Sequence, residues 1–308
     1  MKSNSVCIVG ANSFLAGYLI DVLKGGELEE VMLCGRRPIT DLPPNFKFLP
    51  FDVPNAPLNF SRLLDYSTII YTAGAGIQQK ENLAELVFEL NTFLPIRIIE
   101  YLRNNRYSGT FISFGSYFEI GSCTEKIYFS EDNLASSLLS VPNTYCTAKR
   151  LLTRYYCSAS VPFRYYHFIL PTIYGPGEHT DRLIPYLIKK INHGEDIMLT
   201  GGDQTRQYVF AGDVALCLLQ LEGSLPPGIY NFPSTETCTI RQLVDSLYNQ
   251  LNGSANIVFG GISRSDEQMK FLLLNSKKFT NQVQWNNCTD MKKVLPLYQP
   301  IKTLNCQN

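Results

Sequence analysis

Tyr145 and Lys149 stand four residues apart in YCTAK, a spacing that puts both side chains on one face of a helix. An ammonium beside a phenol stabilises the phenolate and turns a weak acid into a group able to exchange a proton near neutrality. Tyr186 and Lys190 share the spacing, so position must choose between the pairs. Tyr145 opens a helix expected over Thr144 to Ser158, downstream of a strand expected over Thr110 to Phe114. That strand runs out in FISFGSYFEIG, so Ser116 falls just past its carboxyl end, where open α/β sheets bind ligands. Ser113, the rival hydroxyl, belongs inside the strand. Tyr186 has no such companion and falls among Leu183, Ile184, Leu187 and Ile188, the apolar stripe of an amphipathic helix.

A second constellation opens the chain. VCIVGANSFLAG, Val6 to Gly17, reads as a strand, a tight turn and a helix start, and in a dinucleotide fold such a helix meets a pyrophosphate with its free amides. Gly10, Ser13 and Ala16 occupy the three places of a GxxGxxG pattern, and the first helical turn carries Phe14 and Leu15. Ala at the third place permits close packing, whereas Ser at the second puts a β-carbon where backbone should approach phosphate. A plain strand-to-helix turn has the same appearance. Context comes from the second strand, which ends in Cys34, Gly35, Arg36 and Arg37. A ribose with a free 2′-hydroxyl usually meets an acidic residue roughly 20 positions beyond the turn, and none stands there. Two guanidinium groups suit a 2′-phosphate instead; the alternative is a solvated arginine pair on a loop. Asp52 and Val53 close the third strand, where the carboxylate would meet an adenine amino group or form a turn.

The elements that must position these residues read as alternating strands and helices. Strands are expected at Val6 to Val9, Val31 to Cys34, Phe46 to Phe51, Thr68 to Thr72, Thr110 to Phe114 and Arg164 to Leu170, with helices at Leu15 to Lys24, about Asn82 to Asn105, and Thr144 to Ser158. This order predicts an α/β fold, a Rossmann-like doubly wound parallel sheet. We expect a dinucleotide-binding domain over 1–170, with segments returning to it near 203–222. Beyond it, 171–308 should form a smaller mixed α/β substrate subdomain, where Pro and Gly become frequent.

Taken together, these residues resemble the extended short-chain dehydrogenase/reductase family, in the group acting on nucleotide-activated sugars. The resemblance covers nearly the whole chain: the glycine turn, Tyr71-Thr72-Ala73-Gly74, Asn91, Ser116 five residues before Gly121, Tyr145 with Lys149, LPTIYGPG from Leu170, and GGDQTRQYVFAGDVA from Gly201. It implies that Tyr145 exchanges a proton with a sugar oxygen, that Lys149 lowers its pKa and holds a ribose, and that Ser116 bonds the same oxygen. Cofactor contacts are implied at Ala73, Asn91, Pro171 and Ile173 as well as around the turn, with NADP(H) favoured and NAD(H) the alternative. Arg206 and Arg264 match the family's diphosphate contacts, each being otherwise a surface residue.

The chain also departs from its relatives. Ile169 and Thr172 replace the usual Arg and Asn, and Ser116 is followed by Tyr117-Phe118 where sugar 4,6-dehydratases carry Asp-Glu. Elimination is therefore poorly served despite Glu119, and the Arg36–Arg37 pair puts NADPH-dependent reduction of a 4-keto-6-deoxy sugar ahead of an NAD-retaining 4-epimerase. Keeping Ser, Tyr and Lys argues against a non-catalytic dinucleotide sensor. The long helix from Asn82 and the Tyr145 helix resemble the pair that builds a homodimer in this family, the alternative for each being ordinary cover of the sheet.

Bulk composition limits the other classes. With 27 basic and 27 acidic residues there is no field to gather nucleic acid or an anionic membrane. The nine cysteines are odd in number and scattered without a CxxC, which argues against a disulfide framework or zinc site. His167, His179 and His193 lack metal-ligand spacing. No apolar run reaches membrane-spanning length and no signal sequence opens the chain, so a cytoplasmic protein is expected and the sequons at Asn59, Asn252 and Asn287 carry no meaning.

Overall fold

The structure is a computed structural model that describes residues 2–53, 55–76, 84–221, 225–285 and 288–298. The expected helix start at Asn82 and the sequon at Asn287 lie outside the described residues. In chain order the elements are β1 (Lys2–Val9), α1 (Phe14–Lys24), β2 (Glu30–Gly35), β3 (Phe46–Pro50), β4 (Tyr66–Tyr71), α2 (Ala84–Phe88) and α3 (Leu94–Asn104). There follow β5 (Thr110–Ser116), α4 (Glu131–Ser136), α5 (Thr144–Ser158), β6 (Arg164–Leu170), β7 (Thr172–Tyr174), α6 (Leu183–His193), β8 (Ile197–Leu199) and β9 (Thr205–Phe210). Then come α7 (Ala211–Gln220), β10 (Gly228–Asn231), β11 (Glu236–Thr239), α8 (Ile240–Gln250) and β12 (Ile257–Phe259).

Seven parallel strands form the central sheet in the order β10-β6-β5-β4-β1-β2-β3. The sheet has apolar residues on both faces because both are covered. Along β1, Cys7 and Val9 join the core beneath α3 and α5, while Val6 and Ile8 join the core beneath α1 and α7. Since β1 lies between β2 and β4, the chain reverses direction across the sheet there and opens a crevice at the strands' carboxyl ends. Ser13 caps α1, and Leu15, Ala16, Leu19, Ile20 and Leu23 bury its stripe.

Two differences from the sequence reading have physical causes. The helix expected to reach Asn105 is interrupted by a π-helical turn, Glu89–Phe93, closed by the Leu94 amide donating to the Glu89 carbonyl. Pro95 has no N–H to continue the α-helical ladder, and the helix widens just before it. The seventh strand, β10, is four residues between Pro226-Pro227 and Phe232-Pro233, too short to show a period of its own. Part of the return expected near 203–222 is α7, which packs against α1. The rest of the chain forms a three-stranded sheet β11-β9-β7 and a parallel pair β12-β8 around Tyr174, Ile184, Leu187, Ile191, Leu243 and Leu247.

Candidate active site

At the crevice, the amides of Gly10 and Ala11 both donate to the Cys34 carbonyl at 2.9 Å, and the Ala73 amide donates to the Val9 carbonyl at 3.0 Å. Gly10 has φ +98°, and a β-carbon on it would lie 2.3 Å from the Ala73 nitrogen. Only glycine fits. Ser13 turns its hydroxyl back to accept from the Ala16 amide at 3.3 Å, which shows how a side chain is accommodated at the second glycine place. The Phe14 and Leu15 amides, in the first turn of α1, have no intrahelical acceptor and face the crevice end of the helix.

Asn12 was not singled out in the sequence, yet it ties this turn to the arginine loop. Its Nδ2 donates to the Arg37 carbonyl at 2.9 Å and its Oδ1 accepts from the Arg37 amide at 3.0 Å. Gly35 leaves room for it, since a β-carbon there would come within 2.6 Å of Oδ1. Arg36 and Arg37 are exposed, and among the described residues neither makes an ion pair. Asp52 serves the turn: its backbone pairs both ways with Ala56 and its carboxylate accepts from Asn55 at 3.2 Å, with Val53 packed on the core behind it. Asn91, in the π-helical turn, donates to the Ala75 and Val87 carbonyls at 2.8 Å each. Its buried Oδ1 has no partner and faces Gly74, 2.9 Å from where a β-carbon would stand. An orphaned acceptor, free helix amides and a cradle that a β-carbon would fill suit a dinucleotide bound across the crevice.

Tyr145, Lys149 and Ser116 come together at the end of β5. Asn143 caps α5 by accepting from the Cys146 amide at 3.0 Å, which starts the helix just before Tyr145. Ser116 is the last residue of β5, and its hydroxyl stands near enough to the Tyr145 phenol to lower its pKa. Lys149 donates to the Phe114 carbonyl at 2.8 Å, with its Nζ 5.9 Å from the Tyr145 ring centre. Burial pushes the Tyr145 phenol above its ordinary value, against the lowering effects of Ser116 and Arg182. The expected depression by Lys149 is not among these influences. Lys149 itself is lowered to about 8 by burial, with Glu119 opposing. Ser113 lies in the core, bonded to Tyr156 and His167. Lys190 is turned to solvent and paired with Glu195, so the second Tyr–Lys pair stands apart from the site.

Around this cluster the sequence reading missed Arg182 and Glu178 and named Glu119 only as an acid near Ser116. Glu119 is fully buried, and its carboxylate accepts from the Ser116 amide at 2.7 Å. Arg182 lies over the Phe14 ring at 5.6 Å, donates to the Ile173 carbonyl at 2.8 Å and pairs with Glu178 at 3.1 Å. Glu178 in turn accepts from Tyr298, and Thr289 donates to Asp213 at 2.6 Å, so the segment 288–298 is latched to this wall. The two departures from the family pattern meet each other, the Tyr117 hydroxyl lying 2.5 Å from Thr172 Oγ1. A buried charge or a cross-strand pair leaves no local pattern, so none of these was legible in one dimension.

The two arginines proposed as anion contacts differ. Arg206 sits within β9, not in the preceding turn, and is buried with Nη1 donating to the Thr205 carbonyl at 2.9 Å. No carboxylate is paired with it among the described residues, and a buried guanidinium without an acid is suited to an anion. Arg264 is exposed and already bonded to Asp266 at 3.0 Å. His167 is buried in β6, whereas His179 and His193 lie at the surface. No described helix is long and apolar enough to cross a membrane.

The chain is similar to known proteins in sequence and in fold. The chain is 28% identical over 222 residues to a CDP-abequose synthase of Yersinia pseudotuberculosis, covering 68% of this chain and 72% of that protein. Among solved structures, MoeE5 in complex with UDP-glucuronic acid and NAD superposes with a TM-score of 0.79 at 18% identity, over 95% of this chain and 96% of that one. The UDP-glucose 4-epimerase of Thermus thermophilus in complex with NAD gives 0.74 at 16% identity, over 96% and 97%. The model of the NAD dependent epimerase/dehydratase family matches residues 6–232, a span that holds the glycine turn, Ser116, Tyr145 and Lys149. The chain therefore belongs to the NAD dependent epimerase/dehydratase family and is an enzyme of the short-chain dehydrogenase/reductase type.

Proposed function

We propose that this enzyme is an NADPH-dependent reductase that converts the 4-keto group of a 6-deoxy nucleotide sugar to a hydroxyl. The observation that carries the reading is the free Arg36–Arg37 pair, held beside the dinucleotide turn by Asn12 where an acidic residue would otherwise meet a ribose hydroxyl. A 2′-phosphate there would take charge-assisted bonds worth roughly 1.5–3 kcal/mol each. An enzyme that releases its cofactor each cycle gains from that discrimination; an epimerase that retains it does not. The similarity to CDP-abequose synthase points the same way.

The nicotinamide cofactor supplies hydride when bound. This chain's own residues handle the oxygen and the proton. As hydride reaches a carbonyl carbon, negative charge grows on the oxygen, and the Ser116 hydroxyl and Tyr145 phenol donate to it before Tyr145 gives up its proton. A phenol whose burial opposes ionisation holds that proton firmly at rest, and Lys149 favours its transfer by stabilising the phenolate left behind. Arg206 holds the diphosphate. Arg264 contributes once its bond to Asp266 is exchanged for phosphate. The second reading is an NAD-dependent 4-epimerase. We also read the enzyme as a cytoplasmic homodimer joined through α3 and α5; Phe93, which ends the π-helical turn before α3, and Leu151 of α5 remain 50% and 41% exposed.

One incubation tests the reaction. With NADPH and a CDP-linked 4-keto-6-deoxy sugar, cofactor should be consumed one-for-one with product. Interconversion of two epimers with no net loss of cofactor would replace the reductase by the epimerase. Titration at fixed salt should show NADPH binding more tightly than NADH.

A further inference from the structure

Behind Ser116 and Lys149 runs a line of buried polar groups that the proton transfer described above does not use. Tyr156 Oη lies 2.8 Å from Ser113 Oγ, which lies 2.8 Å from His167 Nδ1. On the other side of the ring, His167 Nε2 lies 3.0 Å from Thr153 Oγ1, which donates at 2.6 Å to Glu119 Oε2. Glu119 Oε1 then accepts from the Ser116 amide at 2.7 Å. Ser113, Glu119, Thr153 and His167 have no exposure at all. Gly115 makes the passage possible, because a β-carbon there would come within 2.5 Å of Glu119 Oε1 and 2.9 Å of His167 Nε2. Thr153 follows Lys149 by one helical turn, as Lys149 follows Tyr145, so one stripe of α5 carries all three.

Counting protons gives the line a direction. His167 is neutral, its pKa held down to about 3 by burial and by the Lys149 charge, so the imidazole carries a single N–H. With Glu119 ionised, Tyr156 donates to Ser113, Ser113 to Nδ1, Nε2–H to Thr153, and Thr153 to the carboxylate. Each proton is used once. The reverse order, required when Glu119 carries the proton toward Thr153, leaves the buried Tyr156 proton at the end of the line with no acceptor in it.

We infer that Glu119 is a positioning residue, the buried counter-charge that keeps Lys149 protonated and the anchor that fixes the Ser116 turn, with the Thr153–His167–Ser113–Tyr156 line holding its carboxylate in place. The inference rests on the Ser–Tyr–Lys reading of the site. Burial raises Glu119 to about 7, while Thr153, the Ser116 amide, Lys149 and Arg150 oppose that rise. Cys146 and Tyr145 also feel its charge, and Arg150 spans the turn by donating to the Glu119 and Ile120 carbonyls. Since Lys149 sits at about 8, the two charges coexist in the window around and just above neutrality.

The test uses the whole chain without substrate, so it stands or falls separately from the reductase reaction. In protein labelled at lysine 13Cε and histidine 15N, the Lys149 resonance is assigned by its loss in Lys149→Met, and only three histidines need be resolved. In Glu119→Gln the Lys149 titration midpoint should fall by about one pH unit or more. The amide of Gln must donate to Thr153, so His167 should switch from the Nε2–H to the Nδ1–H tautomer. A folded Glu119→Gln protein with an unchanged Lys149 midpoint would overturn the inference. Thr153→Val, which keeps the shape, guards against a variant that fails to fold: it removes a donor to the carboxylate, Glu119 takes its proton at higher pH, and the Lys149 midpoint should again move down. An unmoved midpoint there overturns it equally.

Discussion

A tyrosine hydroxyl that must deliver a proton is tested by removing only that oxygen. Tyr145→Phe should lower turnover by roughly 10²–10⁴-fold, while NADPH affinity, measured by titration, stays close to wild type. Tyr186→Phe should leave turnover unchanged, because its side chain packs on the core around Ile184 and Leu187 and not in the site. Arg206→Ala should raise the substrate KM and weaken binding of the isolated nucleoside diphosphate in calorimetry, with NADPH affinity little altered; unchanged diphosphate binding would remove Arg206 from the anion site. At this scale the sequence was most legible where spacing along one element carries the chemistry. Tyr145 and Lys149 share a helix face, and Ser116 is marked by the end of its strand. Glu119 and Arg182 were illegible for the opposite reason. Their roles depend on partners 34 residues away at Thr153 and on an aromatic ring of α1, contacts that only folding makes. Arg206 and Arg264 looked alike as matches to the family's diphosphate contacts, and burial of one and the Asp266 bond of the other separate them.

The elements supply the rigid approach of backbone to backbone on which the cofactor crevice depends. Gly10 cannot gain a methyl group without displacing the backbone that follows β4, because the obstructing atoms belong to the Ala73 and Thr72 main chain. Gly10→Ala should cost several kcal/mol, of the order expected for strain plus overpacking, and should abolish dinucleotide binding; a variant that melts and binds NADPH like wild type would contradict this. Of the six N-terminal strands, all but the half-exposed edge strand β3 were readable as largely apolar runs covered on both faces. β10 was not, because a four-residue edge strand is defined by its neighbour β6 and not by its own pattern. The π-helical turn was equally hidden, though Pro95 supplied the one local clue, and it is this turn that buries Asn91 with an unsatisfied oxygen.

For the whole molecule, the buried line of polar groups links stability to pH. Glu119 has a folded pKa near 7, above its ordinary 4.5, so folding binds its proton more tightly. That contribution is fully present below the unfolded value and is lost as pH rises through the folded one. The stability advantage of wild type over Glu119→Gln should therefore shrink by about 3 kcal/mol between pH 4.5 and pH 7, as read from denaturant midpoints. A constant difference would mean that Glu119 is not perturbed in solution. The latch formed by Thr289 with Asp213 and Tyr298 with Glu178 has a practical consequence for anyone who shortens or tags the protein. A chain cut after 285 would keep every residue of the dinucleotide crevice, yet Glu178 would lose a donor and Arg182 part of the scaffold that holds it over Phe14. Such a shortened chain should still be retained on an immobilised-dinucleotide column while its catalysis falters, so cofactor capture alone is a poor criterion for choosing where the recombinant protein may safely end.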